Sequence, residues 1–244
     1  MRTTKKIISA LLVVSLLAVL LTSCNLFVKP DGVIAEADAA LKEKAYTMET
    51  TITYTSEDAG MREAIASFTN PMIFTEVNGN DFRITMNFEK DGRENGVIYT
   101  YKDGTLYTVL DELGVTTKTS EVVTVLDKKE ITDSLGQGVS ISADDFNIAK
   151  AVSVEGVTMI TCTDIKDEPL DALVRELSER FSEDTVVAIK DAGLIIEIED
   201  GLYNNVAFSC QYVITTPDAV YTLVMLYTSK FAYGDVDEIT APTF

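Results

Sequence analysis

Few residues in this chain of 244 could carry out chemistry, and the most informative of them is Cys24. It follows Leu21-Thr22-Ser23 at the end of an uncharged, mostly apolar run of 15 residues, Ile7 to Leu21, and Arg2, Lys5 and Lys6 stand ahead of that run. A spanning helix needs about 20 apolar residues, so this run is short for one. A basic start, a short apolar run and small residues at its end are the parts of an export signal. The other cysteines, Cys162 and Cys210, lie in strand-like runs, the first beside Ile160 and the second beside Phe208 and Tyr212. An exported compartment permits a disulfide between them; two buried thiols packing as small hydrophobes fit equally well. The chain has no histidine, which removes Ser-His-Asp and Cys-His machinery and His-ligated zinc. With 39 acidic residues, carboxylate pairs arise by chance and identify nothing. Asp235, Asp237 and Glu238 beside Gly234 could offer hard oxygen ligands to Ca²⁺, but the full EF-hand pattern is absent and a charged turn accounts for them. The sequence therefore assigns no catalytic residue, no metal and no cofactor, and it predicts a protein that is not an enzyme.

Leu21-Thr22-Ser23-Cys24 resembles the lipobox of bacterial lipoproteins: an aliphatic residue, two small ones, then cysteine. The resemblance implies a diacylglyceryl group on the Cys24 thiol and cleavage after Ser23. Residues 1–23 would then be a signal peptide, residues 24–30 a lipidated tether and residues 31–244 the body. Two or three acyl chains hold a protein to a bilayer stably where one does so only marginally. The expected location is a bacterial cell membrane, lipid-anchored and facing outside the cytoplasm, as on a Gram-positive cell surface.

Cleavage would leave 221 residues, enough for one sizeable core or two small ones. The net charge of −19 would become −22, because the signal carries three basic residues and no acidic one. Nucleic-acid binding leaves a basic footprint, and docking on anionic lipid uses basic clusters; this composition argues against both. The acidity otherwise describes a well-solvated surface.

The rest of the chain reads as strands punctuated by turns. Pro30-Asp31 can start a helix over 32–44 with Asp31 as its N-cap, followed by a Thr/Tyr strand over 46–55. Residues 57–69 are ambiguous between a helical excursion and a loop. Residues 72–77 form a strand ending at Asn78-Gly79. Phe82, Ile84, Met86 and Phe88 alternate strictly with polar residues, as a half-buried antiparallel strand does. Asp91-Gly92 and Asp103-Gly104 are hairpin turns flanking a strand over 95–102, and Asp-Gly suits type I′ geometry. A two-residue turn at 103–104 places Tyr101 opposite Leu106, Tyr99 opposite Thr108 and Val97 opposite Leu110, all on one mainly apolar face. A strand is expected over 116–126, short helices over 128–135 and 142–149, and a strand pair or one bent strand over 151–165 around Glu155-Gly156. The best helix is 168–181: Pro169 sits in its first turn, and Leu170, Leu173, Val174, Leu177 and Phe181 form its apolar stripe. Strands follow over 194–199, 206–215 and 220–233, the last apolar on both faces and so expected to be a central or doubly covered strand. The prediction is one α+β domain: a large curved antiparallel sheet of nine to eleven strands, an unclosed half-barrel, with helices on one side.

This order of elements, a lipobox, a helix, a Tyr/Thr-rich meander with the hairpin Lys102-Asp103-Gly104-Thr105-Leu106-Tyr107, an amphipathic helix and returning strands, is similar to the LolA-like and LppX-like lipoprotein carriers and the sensor domain of RseB-type regulators. The resemblance implies helices packed on the concave face of the half-barrel and an apolar cavity between sheet and helices for acyl chains or another hydrophobic ligand. Phe82, Ile84, Met86, Phe88, Val97, Tyr99, Tyr101 and Leu106 would line it from the sheet, and Leu173, Leu177 and Phe181 from the helix. Periodicity alone does not separate a cavity from a filled core. The expected function is a membrane-anchored, non-enzymatic binding protein for a lipid or other hydrophobic ligand. The alternative is a sensor or accessory module with a filled core that reads a protein partner, a role for which surface Tyr is suited.

Overall fold

The computed structural model describes residues 27–65, 71–90, 93–123, 141–179, 181–182 and 184–243. Its frame is one antiparallel sheet. The strands are β1 (Phe27–Val28), β2 (Tyr46–Thr55), β3 (Met72–Asn78), β4 (Asp81–Lys90), β5 (Arg93–Lys102), β6 (Thr105–Glu112), β7 (Val115–Val122), β8 (Phe146–Val154), β9 (Val157–Ile165), β10 (Val186–Glu199), β11 (Leu202–Thr215) and β12 (Val220–Tyr233). Among the described residues three α-helices accompany them: α1 (Pro30–Glu43), α2 (Ala59–Ile65) and α3 (Asp167–Ser178). The sheet order is β1-β8-β9-β10-β11-β12-β2-β3-β4-β5-β6-β7, so β1 and β7 are its edges and the sheet does not close.

That order makes two meanders, β2–β7 and β8–β12, each built from neighbours in sequence. One seam joins them: β12 lies against β2, with Tyr46 opposite Tyr233 and Thr55 opposite Val224. The expectation that residues 220–233 form a central strand is met, because β12 is paired on both sides.

Local chemistry accounts for the hairpins. Asp103 and Gly104 adopt φ of 49° and 81°, Glu155 and Gly156 52° and 88°, and Asp200 and Gly201 50° and 75°. Both central residues of a type I′ turn need positive φ, and its twist matches that of the strands. The register expected around Asp103-Gly104 is the one observed. A fourth turn of this kind, Leu113-Gly114, was not expected, since leucine pays for positive φ. Its amide is held by Asn95, whose Oδ1 accepts from Leu113 N at 2.7 Å.

Several expectations are corrected. The first helix begins at Pro30 with Lys29 as N-cap and no side-chain cap, so Asp31 lies in the first turn instead. Pro at the first position needs no amide partner, which moves the start back. Residues 142–149 are not a helix. A single 3₁₀ turn, Ala143–Asp145, closed by reciprocal Ser142 and Asp145 bonds, gives way at Phe146 to β8, which pairs with β9. Pairing with a neighbouring strand overrides the weak local preference there. Among the described residues the sheet has twelve strands, of which β1 is only two residues long, and β10 begins at Val186 rather than 194. Cys24, the turn at 91–92, the end of the strand expected over 116–126 and the helix expected over 128–135 lie outside the described residues.

The core falls into two clusters. The larger gathers Ala37 of α1, Met61 and Ile65 of α2, and Leu173 and Leu177 of α3 over β8–β12, with Ile160, Leu194, Ile196, Phe208, Tyr212, Ile214, Leu223 and Met225. The smaller gathers Tyr46, Ile73, Val77, Phe82 and Ile84 over β2–β4. Leu41 and Phe231 touch both. The side of the sheet these residues share is called the inner face below.

The outer face of β3–β7 is crossed by the C-terminal segment 234–243. Asn78 Nδ2 donates to the Val236 carbonyl at 2.9 Å, Arg83 Nη2 to that of Thr240 at 3.5 Å and Lys118 Nζ to that of Thr243 at 2.6 Å. Between these ties Ile239 is buried, with 2% of its surface exposed.

Candidate functional site

The strongest candidate is the inner face of β3–β6. Antiparallel pairing puts Phe82 opposite Tyr101, Ile84 opposite Tyr99 and Met86 opposite Val97, and then Tyr101 opposite Leu106. Alternate residues of a strand share a face, so the eight sheet residues singled out from the sequence form one contiguous patch. Phe88 stands at its end, opposite Asn95. Within the patch Phe82 and Ile84 are fully buried and Val97 is buried, while Met86, Phe88, Tyr99, Tyr101 and Leu106 are half-buried. The Phe82 and Tyr101 rings stack with centroids 5.3 Å apart and planes 11° apart.

The helix residues expected to share that patch sit elsewhere. Leu173 and Leu177 are buried, and Phe181 packs beside them, in the cluster over β8–β12. The helix α3 lies against β10. The structure thus gathers the strand residues at one half of the sheet and the helix residues at the other.

Between the halves runs a polar line that the sequence did not single out. Ser229 of β12 lies directly across from Thr50 of β2, and their hydroxyls are 2.7 Å apart. Ser229 Oγ also donates to the Tyr227 hydroxyl at 2.9 Å. Thr50 and Ser229 are almost fully buried, so each needs the other as partner. The signal for this was the Thr-rich alternation of β2, but nothing in one strand names its partner.

Tyr203 ties α1 to the sheet. Its hydroxyl donates to Asp38 Oδ1 at 2.8 Å, and its ring packs with Phe231 at 5.7 Å. Burial, and then the adjacent Asp38 carboxylate, push the Tyr203 phenol well above its ordinary range. Burial alone raises the Cys162 thiol to about 11. It raises Cys210 to about 12 against a smaller opposing hydrogen bond from Tyr212. Both cysteines are free thiols buried in the larger cluster, which decides between the two readings of the sequence. At neutral pH they are packing groups, since the thiolate is the reactive form.

No family model matches this chain, and no curated protein matches it. Among solved structures it is similar to the crystal structure of the ywiB protein from Bacillus subtilis, at 9% identity and a TM-score of 0.19, over 77% of this chain and 91% of that one. A likeness at that score carries no argument about fold or function.

The acidic trio of the C-terminal segment is spread along a tie rather than gathered at a site: Glu238 Oε1 lies 3.9 Å from Lys102 Nζ, which is bonded to Asp81 at 2.7 Å. Among the described residues no helix is long and apolar enough to cross a membrane. What the arrangement offers chemically is an apolar, aromatic and thioether surface backed by rigid β-structure. That surface suits binding by contact and burial.

Proposed function

We propose that this chain is a membrane-anchored extracytoplasmic lipoprotein, held through Cys24, that binds a lipid or other hydrophobic ligand without catalysing a reaction. In this reading the sheet is a LolA-like half-barrel whose helices lie on its concave face, and the ligand rests against β3–β6 on that face. The protein sits at a bacterial cell surface, and its acidity makes nucleic acid an unsuitable partner.

The observation that carries the reading is the unequal packing of the inner face. Over β8–β12 the described helices cover a floor in which Ile160, Leu194, Phe208, Ile214 and Leu223 are fully buried, whereas over β4–β6 Met86, Tyr99, Tyr101 and Leu106 stay half-buried around a fully buried Phe82 and Ile84. Half-buried Met and Tyr beside a rigid apolar floor adapt to a flexible apolar ligand.

The test is mass spectrometry of the full chain made in a bacterial host. The intact mass reports whether cleavage after Ser23 and acylation of Cys24 have occurred. Native spectra before and after solvent extraction report a retained ligand. A discrete extractable lipid supports the carrier reading. A ligand-free mass together with no uptake of a fluorescent fatty acid refutes it.

A second reading, an interaction module with a filled core, draws on the other half of the molecule. The β8–β12 cluster is already packed by α1, α2 and α3. In that case Tyr99 and Tyr101 would meet a protein side chain rather than an acyl chain.

A further inference from the structure

The outer face of the sheet changes character from one side to the other. On β2 it carries Thr47, Glu49, Thr51, Thr53 and Thr55. On β8 and β9 it carries Ile148, Val152, Val154, Val157 and Met159. Register fixes this assignment: Ala151 and Ile160 are paired and buried on the inner side, so Val152, paired with Met159, and Val154, paired with Val157, face outward. Ile148 is 43% exposed and Val154 40%. None of the five belongs to either core cluster.

This patch lies where the N-terminal segment joins the body. β1 pairs Phe27 with Val152 and Val28 with Ala151, so the fold begins three residues after Cys24 and six after the apolar run ends at Leu21. An extended chain spans at most about 3.5 Å per residue. An acylated Cys24 is therefore held within about 10 Å of Phe27, and the bilayer that takes up its acyl chains lies equally close. The expected tether is shorter than residues 24–30, because Phe27 and Val28 are already strand. A body fixed on so short a leash cannot stand off from the membrane, and the surface beside β1 has to meet it.

We propose that the outer face of β8 and β9 rests on the lipid surface that holds Cys24, with Ile148, Val152, Val154, Val157 and Met159 as the contact; this rests on the anchor reading given above. Lys150 lies on the same outer face, between Ile148 and Val152, and Lys29 follows β1. Both are exposed and suit lipid phosphates. Glu197 and Glu199 on β10 bound the patch: Glu197 is paired with Met159 and Glu199 with Val157. They confine the contact to the β8–β9 margin and keep the rest of the acidic outer face in water. Exposed apolar groups beside a lipid anchor add bilayer affinity in proportion to the area they bury.

The experiment uses the full, acylated chain reconstituted in vesicles of phosphatidylcholine with a minor share of phosphatidylglycerol. Ile148→Cys, Val154→Cys and, on the far edge, Thr119→Cys are each labelled with a nitrobenzoxadiazole dye, which Cys162 and Cys210 escape through burial. Brominated lipid is the quencher. The labels at 148 and 154 are expected to be quenched severalfold more than the label at 119. In the Ile148→Asp/Val154→Asp variant, a label on Val157→Cys should fall to the level seen at 119, while the protein stays membrane-bound with an unchanged urea midpoint. Equal quenching at 148, 154 and 119 in acylated, membrane-bound protein overturns the docking alone. Protein that is not membrane-bound and whose intact mass shows an unmodified Cys24 overturns the anchor reading and the docking with it.

Discussion

Cys162 and Cys210 face the same side of the sheet but do not meet, because β10 runs between their strands. Leu194 of β10 is paired with Cys162 on one side and with Phe208 on the other. Two strand spacings and a two-residue offset along β11 put the cysteine Cα atoms more than about 10 Å apart, beyond the reach of a disulfide. Without reductant, a thiol reagent should find no reactive group among these two in the native body and both in denaturant.

Those thiols also give stability a pH dependence. Their folded values, about 11 and about 12, lie above the ordinary 9.0. The folded state therefore keeps protons that the unfolded state has lost. The thiol contribution is intact below pH 9 and falls as pH rises through the folded values, at about 1.4 kcal/mol per thiol per pH unit. Urea midpoints measured from pH 7 to 10.5 should be flat to about pH 9 and then drop. A Cys162→Ala/Cys210→Ala variant should drop less, the remainder coming from Tyr203 and Tyr233, whose phenols are raised in the same sense by burial.

Leu113 is a place where the protein stores strain. It holds φ of 54° at a hairpin with 43% of its surface exposed, so replacing it gives up little burial. Leu113→Asn and Leu113→Gly should each raise stability by about 1 kcal/mol, read as a higher urea midpoint. Gly104→Ala should do the opposite by about the same amount. A Cβ there would meet nothing within 4 Å, so the cost is conformational.

The C-terminal segment is predicted to act through its single peg. Ile239→Ala should cost about 2–4 kcal/mol. Hydrogen exchange should quicken on β3–β5, under the segment, and not on β9–β11. Equal loss of protection in both halves would count against this assignment.

The two halves of the inner face should separate stability from binding. Leu177→Ala, in the packed half, should cost about 2–5 kcal/mol and leave uptake of a fluorescent fatty acid unchanged in the folded fraction. Tyr99→Asp, in the half-buried patch, should abolish uptake with a much smaller loss of stability. If Tyr99→Asp leaves uptake intact, the ligand does not lie against β5.

What could be read from the sequence followed the range of the forces involved. The strand over 82–88, the turn at Asp103-Gly104 and the register around it depend on neighbours a few residues away, and alternation and turn chemistry specify them. The strand over 220–233 was legible for a different reason, since a strand apolar on both faces suits the interior of a sheet better than its edge. Phe146 to Ala149 was misread because one capped turn precedes it and only β9, further along, makes it a strand. The site was half legible. Tyr99, Tyr101 and Leu106 share a hairpin and so had to share a face, whereas the separation of Leu177 from Phe82 depends on strand order, which no local pattern encodes. The Thr50–Ser229 pair was invisible for the same reason, as its partners are 179 residues apart.

The seam between β2 and β12 also sets a timetable. Strands β2 to β7 can pair as the chain is made, and so can β8 to β11, but the ten residues of β2 wait for β12. Until β12 arrives, β2 is a long open edge beside an apolar face, the kind of surface that recruits stray strands. A chain halted between Thr215 and Val220 would have β2–β7 and β8–β11 formed and no strand to join them. Damage near the C-terminus should therefore be felt first at the other end of the protein, as aggregation through β2.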